Sequence, residues 1–302
     1  MNIKIINKLK FILFTPLLVY LGERSLIAYD EGYYALQARW ILDKGNWIAP
    51  LWFDKVILDR TIGIQFLIAL SQKIFGENNF AIFLPIILGS IIMLYLTYLI
   101  HKELLDHKFA IVSSLILVTT FLWINYANMA SQDILFSTVI TFGVFSSIKA
   151  YKSKKGIYYL FCGVWIGLGF MFKTYLTCVP LLAITPFLIQ KKIIQNKLFW
   201  IGCLIGFLPF IIWSSSILKA YGFETYSGLF EKVLILSENN IFTNPFYYYF
   251  WNLPLNIFPW TFLIIPGLIS SFRLKESISK YFLFFYPLTV IFILSLFSTK
   301  TP

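Results

Sequence analysis

Charged residues are scarce in this chain: Asp, Glu, Lys and Arg make up 13% of its 302 residues, about half their usual share in a soluble domain. Hydrophobic residues make up 59%, and the mean hydropathy is +0.76. A soluble domain cannot keep this much apolar surface from water, whereas a bilayer solvates the outer faces of apolar helices. The composition therefore excludes an ordinary soluble protein and predicts a polytopic, all-α integral membrane protein.

Residues that bind metals and nucleotides are also few. The chain has 3 Cys and 2 His. Cys162, Cys178 and Cys203 lie in apolar runs without metal-site spacing, so they are interpreted as packing residues. There is no Walker phosphate-binding loop, and no dinucleotide-binding glycine pattern follows a strand. We therefore expect no nucleotide cofactor, and a nucleotide-driven pump is unsupported.

Nine apolar runs approach the length that crosses a bilayer as a helix, about 20 residues. They cover residues 9–28, 80–100, 109–128, 133–149, 157–172, 174–190, 198–218, 251–272 and 281–298. In the first run, the apolar stretch from Phe11 to Leu21 follows three lysines but precedes no small-residue cleavage site, so it is interpreted as a retained helix and not a signal peptide. The fifth and sixth runs are short and share a tight turn at Lys173.

The net charge of +11 is unevenly distributed along the chain. If the N-terminus is cytoplasmic, every inside loop carries lysine or arginine and most carboxylates fall outside, as the positive-inside rule requires. In a soluble protein such a charge would suggest nucleic-acid binding, but topology accounts for it here, so no nucleic-acid partner is expected. The pattern predicts a cytoplasmic N-terminus and places any soluble chemistry on the periplasmic or extracytoplasmic face.

Two large outside segments are predicted, at 29–79 and 219–250. Within the first, the apolar stretch 61–75 (TIGIQFLIALSQKIF) would form a helix about 22 Å long, short of a hydrocarbon core about 30 Å thick. If it crossed the membrane, every later loop would lie on the opposite side of the membrane, and the basic loops would face outside. It is therefore predicted to be an interfacial or re-entrant helix.

The first outside segment opens with two adjacent carboxylates, in DEGYYALQARWILDKGNW. Asp30 begins a helical pattern that ends at Lys44-Gly45, where glycine is a common helix stop. Asp30 could simply cap this helix, or Asp30 or Glu31 could be a catalytic base or metal ligand at the membrane surface. Adjacent residues of a helix point apart, so the two carboxylates are expected to have different roles.

Four further charged residues lie near the predicted outer surface. Asp133 sits between two spans with almost no loop, where an acid is costly unless it is solvated, paired or metal-bound; it could also cap the next helix. Arg60 could grip a phosphate through its guanidinium, or it could be an interfacial cation beside a capping Asp59. Lys173 could neutralise a lipid phosphate or only snorkel to the interface.

Six segments, taken in chain order, resemble the GT-C glycosyltransferases, and most closely the dolichyl-phosphate-mannose protein mannosyltransferase-like group that includes bacterial aminoarabinose transferases of lipid A. They are DEGYYALQARWILDKGNWIAP, LDRTIGIQFLIALSQKIFG, SQDILFS, FMFKTYLTCVP, PFYYYFWNLPLNIFPWT and SLFSTKTP. The resemblance implies a GT-C-like helical bundle and a transferase that takes a sugar from a polyprenyl-phosphate donor. It also implies a site on the periplasmic or luminal face and metal dependence or assistance.

The resemblance further implies roles for the acidic residues. Asp30 matches the family's catalytic aspartate, a general base on the acceptor. Glu31 matches the acid beside it, and Asp133 matches the second acidic position. The acceptor itself is left open, because a lipid, a glycan and a protein hydroxyl all fit this chemistry.

The cationic positions match less closely. Asp59 and Arg60 stand where relatives often have Glu-Lys, an acid that can bind a metal and a cation that can bind the lipid phosphate. Lys173 matches the family's turn lysine and would also bind phosphate. The stretch ENNIFTNPF lacks the histidine that some relatives carry, which weighs against a bound metal.

The chain stops at Thr301-Pro302, where relatives continue. This predicts a single transmembrane domain over 1–302 that is incomplete at its C-terminus.

Two alternatives to the transferase remain open. A transporter or lipid flippase would place ionisable groups near mid-membrane and show related halves, whereas the acids here lie at outer ends and no repeat is found. An inactive membrane scaffold would retain the same motifs.

Overall fold

The computed structural model describes residues 25–27, 30–53, 55–105, 107–229 and 243–300, and these are mostly helical. The first helices are α1 (Asp30–Lys44), α2 (Gly63–Phe75), α3 (Asn79–Leu104), α4 (Ala110–Val118), α5 (Phe121–Ala127), α6 (Gln132–Ser153) and α7 (Gly156–Lys173). They are followed by α8 (Cys178–Gln190), α9 (Lys197–Tyr221), α10 (Tyr248–Asn256), α11 (Ile264–Phe272), α12 (Ser277–Lys280) and α13 (Tyr286–Leu296). Two short strands, β1 (Leu51–Trp52) and β2 (Lys55–Val56), pair antiparallel between α1 and α2.

Five helical stretches in the described part of the chain are long and apolar enough to cross a membrane. They are Asn79–Leu104, Gln132–Ser153, Gly156–Gln190, Lys197–Tyr221 and Ser277–Leu296. The pair α4 and α5 would make a sixth if its 71° bend lies within one span. These stretches confirm a multi-pass helical membrane protein but not the predicted count of nine, and the predicted first span at 9–28 lies almost wholly outside the described residues.

Two predicted spans are interrupted in the structure, and one predicted turn is present. A 3-10 turn (Thr174–Thr177) separates α7 from α8, in keeping with the predicted turn at Lys173. The run at 109–128 breaks between α4 and α5, and the run at 251–272 breaks between α10 and α11. The break between α10 and α11 lies near Pro254 and Pro259. Proline favours a break there because it supplies no backbone N–H for helix continuation.

Glycines let α7 and α9 cross with their backbones in contact. Gly163 and Gly167 of α7, and Gly202 and Gly206 of α9, each recur at a spacing of four residues. A Cβ atom on Gly202 would lie 1.9 Å from the carbonyl oxygen of Leu160, and one on Gly163 would lie 2.1 Å from that of Phe199. Such packing through small residues is typical of membrane helices. It lets the two backbones approach closely, and the resulting dispersion contacts stabilise the pair.

The outer-loop helices form as the sequence predicts. Helix α1 ends at Lys44, and Gly45 follows with φ of +66°. Tyr34, Ala38 and Ile41 of α1 are buried together, which gives the helix an apolar face. The predicted interfacial segment 61–75 is helix α2, whose 13 residues begin at Gly63.

The two outer helices are joined to the bundle by one continuous apolar core. This core contains residues of α1, α2, α3 and α6 together with Trp213 and Ile217 of α9. The indole N–H of Trp213 also donates to the carbonyl oxygen of Ile48 at 2.7 Å, fixing the outer loop to α9. A second core lies around Trp165, Phe187 and Phe199 near the other ends of the helices. The outer helices are therefore packed parts of the fold, and they carry the first predicted site residues.

Candidate active site

The two adjacent carboxylates at the start of α1 point in different directions, as the helix geometry predicts. The Asp30 side chain is 63% exposed, whereas Glu31 is completely buried. Glu31 Oε2 accepts the backbone N–H of Ile27 at 2.7 Å, and Oε1 accepts that of Ala130 at 2.9 Å. Only Asp30 is therefore open to a reactant.

Arg60 lies beside Asp30 in a pocket of aromatic rings. An Nη1 atom of Arg60 is 4.0 Å from Asp30 Oδ1, and Nε donates to Asp59 Oδ2 at 3.0 Å. Nη1 also donates to the hydroxyl of Tyr34. The guanidinium carbon lies 5.1 Å from the ring centres of both Tyr33 and Tyr34. Ring faces attract cations, so Arg60 is held in one orientation next to the exposed carboxylate.

The proton equilibria of this cluster reflect burial and charge. Burial raises the pKa of Tyr33 to about 12, and the Asp59 carboxylate adds to the rise. Burial also raises the pKa of Tyr34, while Arg60 acts against the rise and both Asp30 and Asp133 add to it. The two phenols therefore stay protonated at neutral pH and act as neutral hydrogen-bonding groups.

The pKa of Arg60 is set by opposing effects. Its burial would lower the pKa, but Tyr34 and Asp59 outweigh this and raise it. The guanidinium is therefore a permanent cation at the site.

Asp133 and Lys173 form an ion pair on the inner side of this cluster. Lys173 Nζ donates to Asp133 Oδ1, and the ammonium lies 5.8 Å from the ring centre of Phe136. Ser131 caps α6 by accepting the backbone N–H of Asp133 at 3.4 Å, and its hydroxyl donates to Asp133 Oδ2 at 2.8 Å. Both oxygens of Asp133 are therefore engaged, and Ser131, not Asp133, is the cap of α6.

The loop that carries Arg60 packs directly on the turn that carries Lys173. Thr61 Oγ1 donates to the carbonyl oxygen of Phe172 at 3.3 Å. A Cβ atom on Gly63 would lie only 2.5 Å from the carbonyl oxygen of Met171, so the contact requires glycine. Two cations that lie far apart in the sequence are thereby brought to one site.

The structure thus brings together all the residues singled out in the sequence, and it adds tyrosines that the sequence analysis missed. Tyr34 could have been found, because residues four apart lie on one face of a helix and Tyr34 follows Asp30 by four. Tyr126 lines a cavity together with Asp133. No sequence signal indicates Tyr126, because its helix approaches the site only in the tertiary fold.

Two mainly apolar cavities lie on either side of α6. The first, here the Phe172 cavity, has a volume of about 370 Å³ and lies among α2, α3 and α6; its lining includes Ile74, Leu88, Leu135 and Phe172. The second, here the Asp133 cavity, has a volume of about 470 Å³ and lies among α3, α4, α5, α6 and α10; its lining includes Trp123, Tyr126, Asp133 and Leu253. The polar cluster therefore adjoins spaces suited to hydrocarbon chains.

The predicted metal ligand Asp59 is held by a cation. Its Oδ2 accepts from Arg60, and its Oδ1 accepts from the hydroxyl of Tyr33 at 3.2 Å. A guanidinium at 3.0 Å opposes a second positive charge at the same carboxylate. Within the described residues, no group of three or more His, Cys, Asp or Glu side chains could hold a metal ion. The residues around Asp59 do not fit a metal site.

Comparisons with known proteins confirm the resemblance seen in the sequence. A family model described as dolichyl-phosphate-mannose-protein mannosyltransferase matches residues 59–213. The undecaprenyl phosphate-alpha-4-amino-4-deoxy-L-arabinose arabinosyl transferase of Photorhabdus laumondii is 27% identical over 273 residues, covering 85% of this chain and 48% of that protein. The protein of the same name from Yersinia pestis is 28% identical over 295 residues, covering 93% and 53%. The chain spans about half the length of the curated relatives it matches.

Solved structures show the same architecture. The crystal structure of ArnT from Cupriavidus metallidurans bound to undecaprenyl phosphate aligns with a TM-score of 0.87 at 13% identity, covering 100% of this chain and 57% of that one. The apo structure of the same protein aligns with a TM-score of 0.74, covering 98% and 56%. At this identity the likeness establishes the GT-C fold alone.

Proposed function

The chain belongs to the dolichyl-phosphate-mannose-protein mannosyltransferase family, and on that premise we propose that it is a membrane glycosyltransferase. It moves a sugar from a polyprenyl-phosphate donor to a hydroxyl of an acceptor. The observation that carries the proposal is one exposed carboxylate, Asp30, held 4.0 Å from the permanent cation Arg60 beside an ion pair and two apolar cavities. The donor class also agrees with the names of the curated relatives, which are undecaprenyl phosphate-alpha-4-amino-4-deoxy-L-arabinose arabinosyl transferases.

Asp30 is the residue best suited to act as general base. Its side chain is largely exposed, and the nearest atom of Arg60 stands at 4.0 Å. Asp133, by contrast, is bonded to both Lys173 and Ser131, so both of its oxygens are already engaged. In the reaction, the acceptor oxygen attacks the anomeric carbon, and Asp30 takes the acceptor proton as the new bond forms. Asp133 instead orients Lys173.

The leaving group is a polyprenyl phosphate. As the bond between the anomeric carbon and the phosphate oxygen breaks, its electron pair leaves with the phosphate. Arg60 and Lys173 supply positive charge at the expected depth of a lipid headgroup, and such charge stabilises the developing negative charge. Arg60 has further donor hydrogens beyond those used at Asp59 and Tyr34. No step in this scheme runs through a metal ion, because the environment of Asp59 does not suit one.

The Phe172 cavity is a suitable place for the first isoprene units of the donor. Its lining is almost wholly apolar, and Phe172 immediately precedes Lys173, so a chain in the cavity would start beside a phosphate-binding cation. The Asp133 cavity has apolar walls with a polar end at Tyr126 and Asp133. This polarity favours an acceptor that is itself a lipid, with its hydroxyl directed to the acidic cluster.

The topology that suits this chemistry has a cytoplasmic N-terminus and an extracytoplasmic site, in the inner or plasma membrane of a bacterium. The support is the charge distribution, in which the loops at the ends of α6 and α8 away from Asp30 are rich in lysine. Basic loops remain on the cytoplasmic side. The site residues all lie towards the opposite ends of these helices.

The experiment that tests the proposal measures release of polyprenyl phosphate. Purified protein, extended past Pro302 if the gene continues, is incubated in lipid with a panel of polyprenyl-phosphate sugars, and the products are followed by mass spectrometry. Asp30→Asn removes the proposed base and should lower release at least a hundredfold, since general-base catalysis contributes roughly 10²–10⁴-fold. Asp43→Asn is the matched control, because Asp43 lies in the same helix and pairs only at the surface with Arg39 at 3.7 Å.

The outcomes separate the possibilities. Release that depends on Asp30 and not on Asp43 supports the transferase. Equal release by wild type and Asp30→Asn removes Asp30 from the role of base. No release from any donor by folded, extended protein overturns the proposal and favours a scaffold. A parallel set of reactions with EDTA tests the metal question, and undiminished release is expected there.

A further inference from the structure

Glu31 connects two parts of the active site that lie far apart in the sequence. It is completely buried, so it cannot contact a reactant. Its two oxygens accept backbone N–H groups of Ile27 and Ala130, at 2.7 and 2.9 Å. Hydrogen bonds that involve an ionised carboxylate are roughly twice as strong as neutral ones. The side chain therefore ties the start of α1 to the turn before α6.

Each of the two tied segments carries one of the site acids, Asp30 or Asp133. On the α1 side, the N–H of Gly32 also donates to the carbonyl oxygen of Ile27 at 3.1 Å. Asp30 therefore lies in the chain between two residues that are bonded to each other. On the α6 side, Ala130 is followed by Ser131, which bonds Asp133 through both its acceptor and its donor. A shift of the turn at Ala130 would move Ser131 and Asp133 together.

The turn also determines the position of Lys173, since Asp133 holds its ammonium group. The path from Glu31 through Ala130, Ser131 and Asp133 to Lys173 is one set of direct contacts. Asp30, at the other side of Glu31, is adjacent in the chain. The buried carboxylate of Glu31 is thus bonded to the two backbone segments that position the base, Asp30, and a phosphate-binding cation, Lys173.

We propose that Glu31 is a positioning residue that fixes the distance between Asp30 and the Asp133–Lys173 pair, and that it takes no part in proton transfer. This inference rests on the proposed transferase function. It differs from the role that the family resemblance implies, in which Glu31 is a catalytic acid beside the base. Fixed geometry matters because a displacement of about 1 Å at a reacting centre can cost on the order of a hundredfold in rate.

The test uses Glu31→Gln, which keeps the size of the side chain but replaces one acceptor oxygen by an NH₂ group. That group cannot accept an N–H, so one of the two ties is lost. We expect kcat for polyprenyl-phosphate release to fall roughly ten- to a hundredfold. The acidic limb of the pH–rate profile should stay as in wild type, because Asp30 remains the base. Glu224→Gln, an exposed acid of the second outer segment, is the matched control.

A second readout does not depend on activity. Spin labels are attached to cysteines introduced at Arg39 of α1 and Asn125 of α5, both exposed, after the three native cysteines are replaced by alanine. The distribution of distances between the labels should broaden in Glu31→Gln and remain narrow in Glu224→Gln. This measurement decides the positioning claim even if no donor is turned over, so its failure is distinguishable from failure of the transferase proposal.

Three results would overturn the inference. An unchanged kcat together with an unchanged label distance would show that Glu31 positions nothing. Loss of the acidic limb of the pH–rate profile would make Glu31 itself a base. A fall in rate that only follows the folded fraction, with normal kcat per folded molecule, would reduce Glu31 to a structural residue.

Discussion

Replacing Gly63 by alanine should separate the two cation-bearing segments of the site. The new Cβ atom would lie 2.5 Å from the carbonyl oxygen of Met171 and 3.1 Å from Cδ1 of Phe172. Real Cβ atoms essentially never approach closer than 3.0 Å, so the loop and the turn must part by roughly half an ångström. The neighbour is backbone, which cannot rotate away as a side chain could.

The size of the effect follows from this displacement. Overpacking of a well-packed site costs about 1–3 kcal/mol of stability. The movement increases the distance between the segments that carry Arg60 and Lys173. In the proposed reaction these two cations act on the same phosphate. A displacement of about 1 Å can cost on the order of a hundredfold in rate, so half of that should lower kcat by roughly tenfold. The donor KM should rise, because both cations also bind the ground-state phosphate.

The assay compares Gly63→Ala with Gly267→Ala. A Cβ atom on Gly267 of α11 meets nothing within 4 Å, so that variant controls for the glycine-to-alanine change itself. Initial rates of polyprenyl-phosphate release are measured per folded protein, alongside thermal unfolding in detergent. If Gly63→Ala matches Gly267→Ala in rate, donor KM and stability, the loop and the turn are not rigidly coupled and the two-cation argument fails.

Two further perturbations test the pairing and the packing. Lys173→Met should lower both stability and donor use, because it leaves Asp133 without its cation. Adding Asp133→Asn should restore the thermal unfolding temperature but not the rate of release. A double variant that is no more stable than Lys173→Met would contradict the ion pair. Gly202→Val should prevent stable insertion or folding, since even a Cβ atom there would lie 1.9 Å from the carbonyl oxygen of Leu160. Size-exclusion profiles in detergent check this, with Gly267→Val as control, and a monodisperse Gly202→Val protein would refute the close crossing of α7 and α9.

Local patterns in the sequence predicted the elements of the outer surface. The helix from Asp30 to Lys44, its stop at Gly45 and the short apolar helix at 61–75 follow from periodicity and glycine placement, which depend only on neighbouring residues. The divergence of Asp30 and Glu31 also follows from helix geometry. The count of nine spans was not confirmed, because apolar runs show length and hydropathy but not where a helix bends or breaks.

The sequence by itself therefore determined that the chain is a multi-pass helical protein, and its motifs determined which family it belongs to. It did not reveal that Glu31 is buried against Ala130, that tyrosines surround Arg60, or that Lys173 pairs with Asp133. Only the tertiary structure decided these contacts, because each joins segments separated by 26 to 99 residues. Such contacts depend on how closely helices can approach, and that distance is set by the absence of a Cβ atom at positions such as Gly63 and Gly202.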